Sequence, residues 1–453
     1  MKQVQSPEQV INASILKPGS RIYMSGNAAT PQVLVGQLAQ DKSIRGIELM
    51  GALLMGRASE IFTEEACERI IHRIIFNGHA SRDAVNRGWA KYQLMHLSDI
   101  PRQVTTYLRP DVAMVSVAGP DKGGNYSLGS TVEGVRAAVE VAHRSGGVVI
   151  AERNAQMPFV LGSTVRGSMI DYLIDTDYPL PVTPVKPPDQ SARRIGRIIA
   201  ERYISDGATL QYGIGQVPEA VTDAIIEKGV RELGIHTELF ADAMRRLVDA
   251  GLVTNGHTFT HSDFSIGSIF LAADASGYDW LDYNSSVQSR PCDFTNSVLN
   301  IARQPKMVAV NSAIGVDLHG NIWADSLQAR RIYSGVGGQC DFLRGASLSE
   351  GGVPLIAMAA TTKKGLSKIT DKCPEGITTT AIAADNVVVV TEYGAFDPRG
   401  LSFAERVVGT AHLAAPEHRE RLLQHIYDSP EFHRPRQAVR EGHPKGFLPY
   451  EAL

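Results

Sequence analysis

The chain has 453 residues, enough for two to four domains at roughly 100–200 residues each. Its 45 basic and 48 acidic side chains leave a formal net charge of −3, so no basic excess calls for nucleic acid or an anionic membrane surface. No stretch approaches the about 20 apolar residues of a spanning helix, and the polar start MKQVQSPEQV lacks the apolar core of a secretory signal.

Short β-rich runs alternate with helical patterns along the chain. Strands are predicted at 21–25, 112–117, 148–152, 208–212, 307–311 and 386–391. A helix is predicted over 131–144, with Val132, Val135, Val139 and Ala142 on one face and Gly146 past its end. Another is predicted over 190–203, with Ile195, Ile198 and Ile199 on its apolar side. Such alternation favours α/β architecture, a mainly parallel sheet flanked by helices.

The two halves echo each other. SGNAATPQVLV and YGIGQVPEAV each place a glycine (Gly26, Gly213) five residues before a proline (Pro31, Pro218). Gly119 to Asn125 parallels Gly315 to Asn321 at a similar separation, and VVIAE ending at Glu152 pairs with VVVVTE ending at Glu392 at a larger one. Three matches in one order predict two similar domains, 1–185 and 186–453, joined by the proline-rich segment 179–190.

Several chemistries find no support. The four cysteines, Cys67, Cys292, Cys340 and Cys373, form no Cys-x-x-Cys pair, which argues against a disulfide framework or a zinc site and for a cytoplasmic location. No Walker A run or nucleophile elbow occurs. The dinucleotide fingerprint fails at its third glycine, where GIGQVP has Pro218 and GVGGQC has Cys340. His257 and His261 are four apart, but the strand-like Thr258-Phe259-Thr260 between them would hold the rings apart, so no metal site is expected.

Three features point to ligand chemistry. The segment 233–244 reads as a strand running into a helix, leaving Glu238 near the carboxyl edge of a sheet as a nucleophile, a base or a helix-start acid. Gly213 and Gly215 let the backbone approach a ligand, and Pro218 suits the first helical position. The N–H groups of Gly215, Gln216 and Val217 would then form an anion or oxyanion site, or only a tight turn. Gly335, Gly337 and Gly338, followed by Gln339, suit close passage of a long phosphate-bearing ligand, or only a loop.

GIGQVPEAV, LGIHTELFADA, NSAIGVDLHGNIWADS, YSGVGGQCDFLRGA and VVVVTEYGAFDPRG occur in this order, and over residues 21–426 the chain resembles the acetyl-CoA hydrolases and acyl-CoA:carboxylate CoA-transferases, 4-hydroxybutyrate CoA-transferase among them. The resemblance implies two domains of the NagB/RpiA-like CoA-transferase fold. It implies that Glu238 attacks an acyl thioester and passes through a glutamyl-CoA thioester, with ping-pong kinetics. It implies that Gly213, Gly215, Gln216, Val217 and Pro218 lie at the thioester end of CoA, and that Gly335, Gly337, Gly338 and Gln339 line its path. CoA is then a substrate, with no tightly bound cofactor and no metal. The partner is a short acid such as acetate, propionate, butyrate, succinate or 4-hydroxybutyrate, and hydrolysis by the same glutamate is the alternative. Asp242 would oppose ionisation of Glu238. Many members carry an Arg and an Asp where this chain has Phe159 and Gly162-Ser163-Thr164, a region expected to face the acceptor acid. A homodimer is expected on general grounds.

Overall fold

The computed structural model describes residues 1–259, 262–329, 331–433, 439–440 and 443–453. His261 lies outside them.

Two large sheets carry the molecule. The first runs Lys2–Val4, Tyr172–Thr176, Val148–Asn154, Val112–Val117, Arg21–Met24, Ile47–Ala52, Ile70–Phe76 and Lys91–Tyr92, and every neighbouring pair is parallel. The second runs Gly234–Ile235, Thr209–Tyr212, Met307–Asn311, Val353–Ala357 and Val388–Thr391 in parallel, then Gly394–Phe396 and Phe447–Pro449 antiparallel. All six residues of Val112–Val117 are buried, as expected where helices cover both faces of a parallel strand. The α/β class predicted from alternation is therefore the one observed.

The helix Gln190–Tyr203 has the predicted bounds. Asp189 caps it, accepting the Ala192 N–H at 2.9 Å, and its apolar face buries Ile195, Ile198 and Ile199. Gly196 lets it pack directly on the helix Gln216–Lys228, since a Cβ there would sit 2.5 Å from the Ala220 carbonyl carbon. Before it, residues 177–189 carry no regular element.

The helix predicted over 131–144 begins only at Val135. Tertiary pairing takes the residues before it. Thr131 bridges Ile269, the Val132 N–H donates to the Ser268 carbonyl at 2.9 Å, and Glu133 is held at φ 23°. The first half thus reaches across to the second. The two also share a core, in which Ala28, Met157, Phe159 and Leu180 join Ile195, Leu210, Phe240 and Phe270, and Phe159 stacks on Tyr283 with centroids 4.7 Å apart.

The echoes have distinct structural meanings. Asp121 and Asp317 each hold the asparagine four residues on through its backbone N–H (2.9 and 2.8 Å) and its side-chain amide. That repeat is a turn, and none of its residues lines the cavity described below. The third echo does not match by position in the sheet. Counting outward from the strands that precede the first echo, Val148–Asn154 corresponds to Val353–Ala357, and Val388–Thr391 lies one strand further across.

Candidate active site

A cavity of about 200 Å³ lies between the halves. The first half supplies Asn27, Ala52, Leu53, Phe76, Leu97 and Glu133, the first four at or just beyond the carboxyl ends of parallel strands. The second supplies Ile214, Glu238, Leu239, Ile269, Leu271, Gly337 and Gly338. Ligands of open α/β sheets bind at this edge. A larger, more open groove of about 620 Å³ lies on the helices at Arg193, Arg197 and Asp223, and holds none of the predicted site residues.

Glu238 follows the short strand Gly234–Ile235 and precedes a second, Leu239–Ala241, which pairs with Ile269–Leu271. The helix starts later, at Asp242, so Glu238 is not a helix-start acid. Its carbonyl accepts the Ser268 and Ile269 N–H groups at 3.0 and 2.8 Å, which anchors the backbone and leaves the side chain at the cavity. The Asn296 side-chain amide donates to its Oε2 at 2.6 Å. Asn296 is itself fixed. Its Oδ1 accepts the Thr295 hydroxyl at 2.8 Å, and the Thr295 carbonyl meets the buried ring of His236, two residues before the glutamate, also at 2.8 Å.

Burial pushes the Glu238 carboxyl up to about 7, and the Asn296 hydrogen bond works against that shift. The nearby charge that raises it further is Asp341 rather than the expected Asp242. Asp242 instead accepts the Ala273 N–H at 2.6 Å and pairs with Arg245. Asp341 is buried, which raises its own pKa, and Ser98 donates to it through both its N–H and its hydroxyl, at 3.1 and 2.8 Å.

The second glycine cluster lies directly over the carboxylate. A Cβ on Gly338 would stand 1.5 Å from Glu238 Oε2 and 2.1 Å from Asn296 Nδ2. Only glycine permits this approach. Gly335 presses on Ile75 and Phe76 of the first half, and Gly337 receives the Leu97 N–H on its carbonyl at 3.0 Å. Gln339 opens the helix Gln339–Leu348 and is buried.

The first cluster sits at the rim. The helix begins at Gln216 with Gly215 as its cap (φ 124°), two residues earlier than expected, so Pro218 is the third helical residue rather than the first. Its missing N–H would still have no intrahelical partner. Gly213 lies near Leu239, Val217 packs on the core, and the Gln216 amide donates to the Pro187 carbonyl at 2.5 Å. From this turn it is Ile214 that lines the cavity. The matching helix of the first half, Gln32–Gln40, is closed internally, with Glu152 accepting the Val33 and Leu34 N–H groups at 3.0 Å. The Gly215 cap offers no side chain to do the same.

Phe159 and residues 162–164 do not line the cavity, contrary to expectation: Phe159 is buried in the shared core, and Ser163 is tied to Ser289. His257 meets Glu232 at 3.0 Å, and among the described residues no cluster of three or more His, Cys, Asp or Glu could hold a metal. Among the same residues no helix is long and apolar enough to cross a membrane. Sequence reasoning missed Asn27, Leu53, Phe76, Glu133, Asn296 and Asp341. Asn27 and Asp341 lie inside motifs already singled out, whereas Glu133 and Asn296 carry no local signal.

Comparison with known proteins identifies the family. The acetyl-CoA hydrolase/transferase N-terminal domain matches residues 1–184 and the corresponding C-terminal domain matches 275–426, and the chain belongs to this family. It is similar to a 4-hydroxybutyrate coenzyme A transferase of Clostridium kluyveri, 36% identical over 89% of this chain and 93% of the relative. It is also similar to a succinyl-CoA:acetate/propanoyl-CoA:succinate CoA transferase of Fasciola hepatica, 34% identical over 91% and 86%. The crystal structure of RipA from Yersinia pestis superposes with a TM-score of 0.86 at 28% identity, covering 94% of this chain and 97% of that one.

Proposed function

We propose that the protein is an acyl-CoA:carboxylate CoA-transferase with Glu238 as nucleophile. The observation that carries this reading is the Glu238 carboxylate in the cavity wall, hydrogen-bonded by Asn296 and overlain by Gly338. A Glu238 oxygen attacks the thioester carbonyl carbon, the C–S bond breaks, and CoA leaves as thiolate. The product is an anhydride of the acyl group with Glu238. The thiolate then adds to the Glu238 carbonyl carbon, the C–O bond to the acyl group breaks, and the acyl carboxylate departs. A glutamyl-CoA thioester remains, which an acceptor carboxylate converts back by the reverse steps. One thioester replaces another, so no net proton or ATP is consumed.

In this scheme the glycine-capped start of the helix Gln216–Lys228 is the anion site for the thioester oxygen, and Gly335 to Gln339 border the CoA path. The two functional domains divide at residues 185 and 186. The small, largely apolar cavity suits a short acyl group, being below the roughly 300–1,000 Å³ of drug-sized pockets.

Acetyl-CoA incubated with a panel of short acids tests the reading by chromatography of the CoA esters. Appearance of the acceptor's CoA ester supports transfer. Release of free CoA at the same rate with and without acceptor would instead assign hydrolysis by the same glutamate.

A further inference from the structure

The cavity contains two polar groups that the transfer chemistry does not use. Glu133 is fully buried at 0% exposure, and Asn27 is 1% exposed. Both line the cavity. The Tyr23 hydroxyl donates to Glu133 Oε1 at 3.1 Å, but among the described residues Glu133 Oε2 has no hydrogen-bond partner, and neither does Asn27 Nδ2. Orphaned buried polar groups are rare in folded proteins and costly to keep. Both are also held against backbone preference, Asn27 at φ 52° and Glu133 at φ 23°. Glu133 is clamped from the second half, its N–H donating to the Ser268 hydroxyl at 3.1 Å and its carbonyl accepting the Cys292 N–H at 3.2 Å. Strain of this kind persists where surrounding structure enforces it, often at ligand sites.

Among the described residues the rest of the lining is apolar apart from Glu238, and no lysine or arginine is in it. A ligand group that completes this wall must accept a hydrogen bond from the Asn27 amide, engage the Glu133 carboxyl, and carry no negative charge. A hydroxyl meets all three demands, since it is one donor and two acceptors. A second carboxylate would be stripped of water with no lysine or arginine among the described lining residues to pair with it. A methyl group would leave both orphans unpaired.

We propose that Asn27 and Glu133 form a subsite for a hydroxyl on the acyl chain, so that the favoured acid is a short hydroxycarboxylic acid. The inference rests on the CoA-transfer reading and deepens it. Burial lifts the Glu133 carboxyl to about 8, so near neutral pH its proton also lets it donate to the substrate hydroxyl.

The test is CoA transfer from acetyl-CoA to 4-hydroxybutyrate, butyrate and succinate, three acids of one chain length, compared as kcat/KM at pH 7. Leaving a buried polar group unpaired costs enough to predict a preference of about tenfold or more for the hydroxy acid over butyrate, with succinate last. Asn27→Gly deletes the amide while tolerating the positive φ, and should cut that preference to within about threefold. Glu133→Leu should do the same, and Glu133→Gln, which keeps hydrogen-bonding capacity, should restore most of it. If Glu133→Leu does not fold, Asn27→Gly and Glu133→Gln still decide the matter. A wild-type enzyme that prefers butyrate or succinate overturns the proposal. So do variants that slow all three acids by one factor, which is the mark of a structural role. Transfer to none of the acids overturns the CoA-transfer reading itself, and the subsite with it.

Discussion

Gly338→Ala puts the geometry of the site to a sharp test. The backbone at Gly338 has φ −98° and ψ 3°, which alanine adopts without strain, so any effect comes from the added methyl group. That methyl would stand 1.5 Å from Glu238 Oε2 and 2.1 Å from Asn296 Nδ2, where ordinary contact begins near 3.4 Å. The carboxylate must therefore retreat by about 2 Å, and its 2.6 Å hydrogen bond from Asn296 is lost. The displaced atoms are the ends of flexible side chains, so folding should suffer little, by about 1–2 kcal/mol. Catalysis should suffer far more. A misplacement of about 1 Å can cost a hundredfold, and about 2 Å should cost at least that, or about 2.7 kcal/mol in activation free energy. Steady-state kinetics and a thermal melt on the same sample separate the two effects. Activity within threefold of wild type would refute the placement of the glycine loop over the carboxylate. A melt lowered as drastically as the rate would show that the loop matters for folding and not for the nucleophile.

The pH profile of kcat/KM should rise with an apparent pKa near 7, because Glu238 must be ionised to attack and burial holds it at about 7. Asn296→Ala removes a hydrogen bond to the charged form and should move that limb upward by about one to two units, since such bonds are worth about 1.5–3 kcal/mol. Asp341→Asn removes a like charge and should move it downward. Stability has the opposite dependence on pH. Glu133 is raised from 4.5 to about 8, so between these values the folded state binds the extra proton, and the contribution is full below about 4.5 and is lost as pH rises through 8. Glu133 alone should contribute a fall of up to about 1.4 kcal/mol per pH unit across that window, and Glu238 and Glu152, both raised to about 7, add to it at the lower end, so denaturant titrations should show Glu133→Gln lessening the slope by Glu133's share.

Much of this was legible before the fold was known, for reasons that differ from residue to residue. The helix Gln190–Tyr203 carries its apolar stripe and its Asp189 cap in local sequence, and the structure keeps both. Residues 131–134 carry the same helical signal, yet pairing with Ser268 and Ile269 overrides it. The glycines at 335, 337 and 338 stood out as costly in chain entropy, and one of them proves to touch Glu238 itself. The nucleophilic role proposed for Glu238 rests on resemblance, since its place in the sequence alone fitted a helix start better than catalysis. Its surroundings were not legible. Asn296 is 58 residues away, and folding alone brings its amide to the carboxylate. Asp242 looked like the opposing charge because it is near in sequence, whereas Asp341 is near in space. The VVVVTE echo misled because hydrophobic strands resemble one another wherever they stand in a sheet.

The central claim is a covalent bond between Glu238 and CoA. Intact-mass spectrometry after incubation with acyl-CoA and no acceptor measures it directly. The expected gain equals CoA less one water, is confined to the peptide bearing Glu238, is reversed by an acceptor acid and is missing in Glu238→Ala. An unmodified chain during full turnover, or the same gain in Glu238→Ala, would contradict it.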